Sequence, residues 1–326
     1  MGAYFVRRLV VAVPVLAVIT LIAFLALSLA PGDPLLARME PGQLAQLRAN
    51  PELLDQRRQE LGLNDPIHIR YLTWLAGVVT KGDLGYSLQS GRPVLQEVSE
   101  RIVPTLALMG MALLLSILVG VPLGILAALR QYSRMDYALA TFSALMVSTP
   151  NFVLGLAGIY VFGVWFNLIP TVGMQTLGRP FSIGDFLAHA ILPASVLALS
   201  SSAALMRYTR ASMLEVLNSD YVVTATAKGL AHQVVVVRHA FRNALIPVIT
   251  VIGLLLPQLV AGAVITEQIF TWPGMGQLAV RAARDRDPAL MMGVVIVVGI
   301  AVLATNILID ALYARIDPRI RFDSAR

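Results

Sequence analysis

The sequence holds no cysteine. Disulfides, thiol catalysis and cysteine-ligated metals are therefore excluded. Charge is scarce too: Asp, Glu, Lys and Arg make up 13% of the 326 residues, against roughly 25% in an ordinary soluble domain. Histidine occurs four times, and His189 and His239 stand at helix ends without metal-ligand spacing, as structural or surface residues. No Gly-x-x-x-x-Gly-Lys-Ser/Thr phosphate loop is present, so ATP has no such cradle in this chain. Gly-x-Ser-x-Gly and His-Glu-x-x-His are missing as well, and no pair of acids is embedded in an apolar run. Neither a catalytic set nor a metal site is legible.

What is abundant is apolar. Hydrophobic residues reach 57% and the mean hydropathy is +0.74. By length alone the chain could form two soluble domains, or six or seven bilayer spans of roughly 20 residues each. The apolar surplus selects the second. The net charge of +6 does not signal nucleic acid, whose readers cluster bases on one face. Here the bases sit in short segments between long apolar runs, the pattern of a membrane protein.

The first run, residues 9–30, follows Arg7 and Arg8. It is longer than the 7–15 residues of a signal core, and Pro31 directly after Ser28-Leu29-Ala30 disfavours cleavage, so it reads as a retained first span. Residues 31–101 are rich in charge, Pro and Gly and read as a folded extracytoplasmic segment. Within it Asn50-Pro51-Glu52 starts a helix and Gly62 ends it. Residues 102–313 form the core, with spans at 102–129, 138–166, 190–208, 244–266 and 289–312, and residues 314–326 form a tail. Pro150, after Ser148-Thr149, predicts a kink or strong tilt in the third span. The run Ser200-Ser201-Ser202-Ala203-Ala204 offers a small-residue surface for close helix packing in the fourth.

Charge sets the orientation. One side receives Arg7, Arg8, Arg130, Arg134, the five cations of residues 207–242, and Arg315, Arg319, Arg321 and Arg326. The other side's short loops receive Arg179, Arg281, Arg284 and Arg286, so the count is thirteen against four. Both termini are therefore expected in the cytoplasm, which requires an even number of spans, and six agrees. No three-plus-three or five-plus-five repeat is visible, unlike many secondary transporters.

The most informative stretch is the cytoplasmic loop 209–243. Ser219 can cap a short helix with the acid Asp220 in its first turn. Tyr221 to Lys228 continue it, and Lys228-Gly229 supplies a cation and a left-handed stop. A second helix over 232–243 then leads into span five. Such a knob fits a partner's groove, and local chemistry equally allows a solvated re-entry loop.

Specific residues then carry a resemblance. The run from Arg207-Tyr-Thr-Arg through Ser219-Asp-Tyr-Val-Val-Thr-Ala-Thr-Ala-Lys-Gly-Leu230 resembles the EAA loop of type I ABC importer permeases, and in particular the dipeptide/oligopeptide/nickel permease family. Arg242-Asn243-Ala-Leu-Ile-Pro247 matches that loop's continuation. So do Ala30-Pro-Gly-Asp-Pro34, Leu61-Gly-Leu-Asn-Asp-Pro66 with Arg70-Tyr71, and Lys81-Gly-Asp-Leu-Gly-Tyr-Ser87. Glu267-Gln-Ile-Phe270 with Pro273-Gly-Met-Gly276, and Asp317-Pro-Arg-Ile-Arg321, complete the set. The resemblance covers nearly the whole chain, and the order and spacing of its pieces make it specific. The large segment after span one is similar to the first of the family's two permease types. Val223 replaces the motif's leading acid and Thr224 its first Ala, so Val223 is assigned no ionic contact. Pro247 lies eighteen residues after Gly229 (247 minus 229), further than in the general pattern.

The resemblance implies an all-α membrane fold of six helices and a permease without a catalytic site or cofactor. ATP and Mg would be bound by two partner ATPase subunits, one of them gripping Ser219, Asp220, Tyr221, Thr224, Ala225, Lys228 and Gly229. A second permease subunit would complete a heterodimer, and a substrate-binding protein would deliver solute to the outer face of a prokaryotic cytoplasmic membrane. Peptides are the implied solute, with nickel chelates and glutathione as alternatives. A secondary transporter is the rival class, and it would need coupling-ion residues at mid-membrane. The later spans hold only Asp310, near an end, where a carboxylate fully in lipid would cost roughly 3 kcal/mol. Asp310 reads either as a gate or helix-pairing charge or as a boundary acid reaching water, and Arg242 is a further candidate for gating or helix pairing. Glu267, just outside span five, reads as a loop charge rather than a solute ligand.

The charge count generates a first test. A reporter inserted within residues 31–101 is expected outside the cytoplasm, and one after Arg319 inside. Labelling of the 31–101 segment from the inside alone would overturn both the topology and the importer reading.

Overall fold

Hydrocarbon offers backbone groups no hydrogen-bond partner, so a span must satisfy its own N–H and C=O groups. The computed structural model, which describes residues 2–30, 51–60 and 62–316, is helical almost throughout. Its helices are α1 (Gly2–Leu29), α2 (Pro51–Glu60), α3 (Ile67–Lys81), α4 (Val94–Leu129), α5 (Arg134–Ser148) and α6 (Asn151–Gly158), which continues as a π-helix (Ile159–Trp165). There follow α7 (Ile183–Leu217), α8 (Asp220–Ala227), α9 (His232–Val234), a π-helical stretch (Val235–Phe241), α10 (Arg242–Ile269), α11 (Met275–Arg284) and α12 (Pro288–Ile316). Among the described residues the only strand-like pairing is an isolated bridge between Tyr86 and Pro93.

Among the described residues four stretches are long and apolar enough to cross a membrane: Val10–Leu29 of α1, α4, α7 and Pro288–Ile309 of α12. Two bent pairs raise the number to six if each is one span. The first, α5 with α6 and its π-helical extension, bends by 101°, far more than a proline kink. Thr149 and Pro150 are both extended, at ψ 124° and 140°, because Pro150 lacks an N–H and drives its predecessor out of the α region. The second pair bends by 46° between Leu245 and Pro247.

The helices outrun the apolar segments that announce them. α4 starts at Val94 rather than 102, and its 36 residues span about 54 Å at 1.5 Å each, against an apolar core about 30 Å thick. α7 starts at Ile183, where the Ser182 side chain accepts a bond from Asp185 N at 3.1 Å. Polar turns beyond the bilayer stay helical because caps supply the missing partners.

The chain divides into two compact units. The first is Met1–Val103 with Gln277–Ala304. In it α1 meets α3 through Thr20 and Tyr71, whose hydroxyls lie 3.1 Å apart, inside a cluster with Phe24 and Met292. The 81–87 motif folds into a tight connection. Asp83 accepts from Gly85 N at 2.8 Å, and Ser87 Oγ donates to buried Asp287 at 2.6 Å. Asp287 also accepts from Leu290 N at 3.0 Å, near the start of α12. Buried Glu97 is held by Ser90 and Arg281. Earlier in this unit, α2 occupies Pro51–Glu60 and Gly62 is left-handed at φ +63°, in line with the predicted start and stop. Asn50 lies outside the described residues.

The second unit is Pro104–Gly276 with Thr305–Arg326. Here α7 is central and packs most extensively on α10, then on α5 and α6. It also crosses α4 at very short range. A Cβ added at Gly120 would lie 2.7 Å from Ser202 O, and one at Gly124 only 2.6 Å from Thr209 Cβ. Ser202 of the small-residue run 200–204 therefore meets Gly120, and Thr209 meets Gly124, the close approach expected of a membrane helix pair. Ser143 Oγ adds a bond from α5 to Ala203 O at 2.8 Å.

This crossing yields a second test. Gly124→Ala should destabilise the purified protein by about 1–3 kcal/mol, the usual cost of overpacking. Gly110→Ala, on the same helix but with nothing within 4 Å of the added Cβ, should be neutral or slightly stabilising. Equal thermal unfolding of the two variants would remove the crossing from the account.

Candidate functional site

The loop after α7 is built around the eight residues of α8. Val222 and Ala225, three apart, are buried against Val235, with Val216 and Leu217 alongside. Asp220, Tyr221, Val223, Thr224, Thr226, Ala227, Lys228 and Gly229 are exposed. The helix thus stands on a narrow apolar foot and turns a broad mixed face outward. Ala225 belongs to the foot. Its small side chain lets α8 seat closely against Val235.

Ser219 occupies the cap position with extended backbone, φ −77° and ψ 147°. Its carbonyl accepts from Val222 N at 3.0 Å and Val223 N at 3.1 Å. The hydroxyl does not cap α8 as the sequence suggested. It donates instead to Val216 O at 2.5 Å, because α7 ends one residue before Asn218 and leaves its last carbonyls without helical partners. Asp220 stays at the positive end of α8, where an acid is favoured. Thr224 and Thr226 donate back to Asp220 O and Val222 O at 2.8 and 3.0 Å.

At the far end Lys228 N bonds Thr224 O, and Gly229 N bonds Thr226 O at 3.0 Å. Gly229 is left-handed at φ +77°, and a Cβ there would meet nothing within 4 Å. Conformation alone, not crowding within the chain, requires glycine at this stop.

Downstream, the chain stays helical from His232 to Ile269. The expected second helix of 232–243 is therefore the start of the fifth span itself, with π-helical geometry over Val235–Phe241. Tyr221 OH accepts from Asn243 Nδ2 at 2.9 Å, which ties the outward face of α8 to the Arg242-Asn243 motif. Ser212 Oγ donates to Ala244 O at 3.1 Å. Ala128, Met213, Val236, Ala240 and Ala244 form the apolar seat beneath. Arg242 opens α10 and is exposed. Asp310 lies on α12, and its side chain, like that of His239, falls outside the described residues. His189 is buried, its Nδ1 2.8 Å from Asp185 O.

Two polar centres escaped the sequence reading. Arg210 binds Asp136 through two bonds of 2.7 Å, and Asp136 also accepts from Tyr132 N at 3.0 Å. Ser133-x-x-Asp136 is a legible capping signal, whereas its cation lies 74 residues away. Glu267 was read as a loop charge, and the structure overturns this: it is 0% exposed. Thr105 Oγ1 donates to it at 2.6 Å and accepts from Met275 N at 2.8 Å. The 272–276 turn folds back over the carboxylate, with Trp272 N bonded to Glu267 O at 2.8 Å and Trp272 Nε1 to Pro104 O at 3.0 Å. Among the described residues no group of three or more His, Asp or Glu could hold a metal ion.

Comparison with known proteins places this architecture. Residues 120–322 match the family described as binding-protein-dependent transport system inner membrane component. Residues 1–109 match its N-terminal companion, the membrane component's N-terminal family. The chain is 42% identical over 323 residues to the oligopeptide transport system permease protein AppB of Bacillus subtilis, covering 99% of this chain and 100% of that one. It is 43% identical over 319 residues to a putative peptide permease protein of Brucella suis, covering 98% of each. Among solved structures, an inward-facing MetNI methionine ABC transporter superposes with a TM-score of 0.57 at 14% identity, covering 68% of this chain and 97% of that one; at that identity the likeness speaks for the fold. The chain belongs to the binding-protein-dependent transport system inner membrane component family and is the non-catalytic, multi-pass permease subunit of a bacterial ABC transporter that works with an ATPase and a binding protein.

Proposed function

We propose that this permease forms half of a translocation pathway for peptides and that α8 couples it to ATP hydrolysis. The solute reading is supported by relatives named as oligopeptide and peptide permeases over essentially their full lengths. A second permease subunit completes the pathway, two ATPases bind below it, and both termini lie on their side of the membrane, in keeping with the thirteen-to-four charge count.

One observation carries the coupling reading: α8 is anchored from behind and open in front. Val222 and Ala225 fix its inner side, Tyr221–Asn243 fixes it to α10, and two residues join α7 to it. A push on the outer face is thus delivered to two long helices at once, and α7 is in turn the helix on which α10, α5 and α6 pack. ATP-driven closure of the ATPase pair supplies the push and rocks the permease pair from inward-facing to outward-facing. Asp220, Tyr221, Thr224, Lys228 and Gly229 line that face, while Ser219 and Ala225 hold it in place.

Gly229→Val tests the coupling. A left-handed residue with a side chain costs about 1 kcal/mol or more, and a β-branched one is a stronger outlier. Membrane abundance should stay normal, copurified ATPase should fall about fivefold or more, and uptake should be lost. Gly178→Val is a matched control, since Gly178 sits at φ +80° with nothing within 4 Å of an added Cβ, and it should be mild. Normal ATPase retention and transport by Gly229→Val would show that α8 is not the coupling element. In vesicles loaded with ATP, labelled oligopeptides should be taken up in preference to nickel chelates or glutathione, and the reverse preference would refute the solute reading.

A further inference from the structure

Three apolar runs stop at one level of the second unit. That of α4 ends at Leu129 before Arg130, that of α5 begins after Arg134 and Asp136, and that of α7 ends at Met206 before Arg207. Between them opens a cavity of about 330 Å³, within the roughly 300–1,000 Å³ range of small-molecule sites. Its rim carries Tyr132, Tyr137, Arg207 and Arg210, and its apolar wall is formed by Leu139, Ala140 and Met206. Arg210 is committed to Asp136 by two bonds of 2.7 Å. Arg207 is exposed and makes no ion pair among the described residues. The lining therefore holds two cations and one acid, a surplus of one positive charge.

A ligand matched to this cavity needs an anionic head for Arg207, acceptors for two phenols, and an apolar tail for the wall. A free inorganic anion would leave the wall unused, and an acidic protein segment would satisfy the rim alone. The boundary between apolar and charged sequence is also where lipid headgroups reside, and basic pockets between spans take such headgroups. We infer that this cavity binds the phosphodiester headgroup of an anionic phospholipid, with an acyl chain along Leu139, Ala140 and Met206. The bound lipid steadies the end of α7, which runs from Arg207 through Leu217 to the coupling helix.

The test uses the full chain purified in detergent and native mass spectrometry with dioctanoyl phosphatidylglycerol, dioctanoyl phosphatidylcholine and inorganic phosphate. Phosphatidylglycerol should be retained in preference to phosphatidylcholine. Arg207→Gln should weaken that retention about fivefold, the value of one cation near an anionic headgroup. Tyr137→Phe should weaken it less, and serves if Arg207→Gln folds poorly. Ala140→Phe fills the wall and should also release the lipid, while Arg179→Gln, which removes a cation from a different loop, should not. Equal retention of the two lipids, or indifference to both rim variants, overturns the proposal. Inorganic phosphate that displaces the lipid and binds unaffected by Ala140→Phe would assign the site to a free anion instead. Because the chain is cysteine-free, Arg207→Cys gives a single crosslinking position. Crosslinking there to an ATPase in the assembled transporter, with phosphatidylglycerol excluded, would make the cavity a protein interface and end the lipid assignment.

Discussion

A peptide group in hydrocarbon has no water to bond, and each unsatisfied N–H or C=O there costs several kcal/mol. This constraint explains why apolar runs become helices and why departures from the α-helix are few and placed. At Thr149-Pro150 the ladder breaks, yet Thr149 N and Oγ1 both return to Leu145 O at 3.0 and 2.7 Å. Beyond the break Asn151 takes a bond from Ser200 at 3.1 Å, which docks the start of α6 onto α7. The π-helical stretches keep intrahelical bonding while changing the helix's pitch. Irregularity is tolerated where protein, rather than lipid, supplies the partners.

With no hydrophobic force between helices in lipid, association relies on close packing and polar contacts. The α4–α7 crossing shows the packing half of this, with glycines set against Ser202 and Thr209. The polar half lies at the helix ends. Asp136 with Arg210 and Glu267 with Thr105 in the second unit, and Glu97 with Arg281 in the first, are buried acids that each have a named partner. Removing the Arg or Thr partner would leave a buried carboxylate without that bond, which is costly, so these pairs specify which helix ends meet.

The loop that carries α8 reuses both devices in miniature. Its foot is two small or branched apolar side chains, and its tie is one tyrosine–asparagine bond. Its end is a glycine whose left-handed turn costs little and whose surroundings are open. A short helix of eight residues is marginal by itself. Here the seat formed by α7 and α10 holds it.

Much was legible from the chain alone. Long apolar runs announced the spans, Pro51 and Gly62 the limits of α2, and the order of short motifs the family. These are local signals, each complete within a span or a few residues. The sequence did not show that Thr149-Pro150 bends by 101°, since a proline marks a break but neighbouring helices set its angle. Nor did it reveal that Tyr221 is tied to Asn243, that Arg210 pairs with Asp136, or that Glu267 is wholly enclosed beside Thr105. Those outcomes depend on which groups 22, 74 or 162 residues apart are brought together. Local hydropathy and capping determined what each segment is, and only tertiary packing decided whom it meets, because a side chain's partner is chosen by the whole fold.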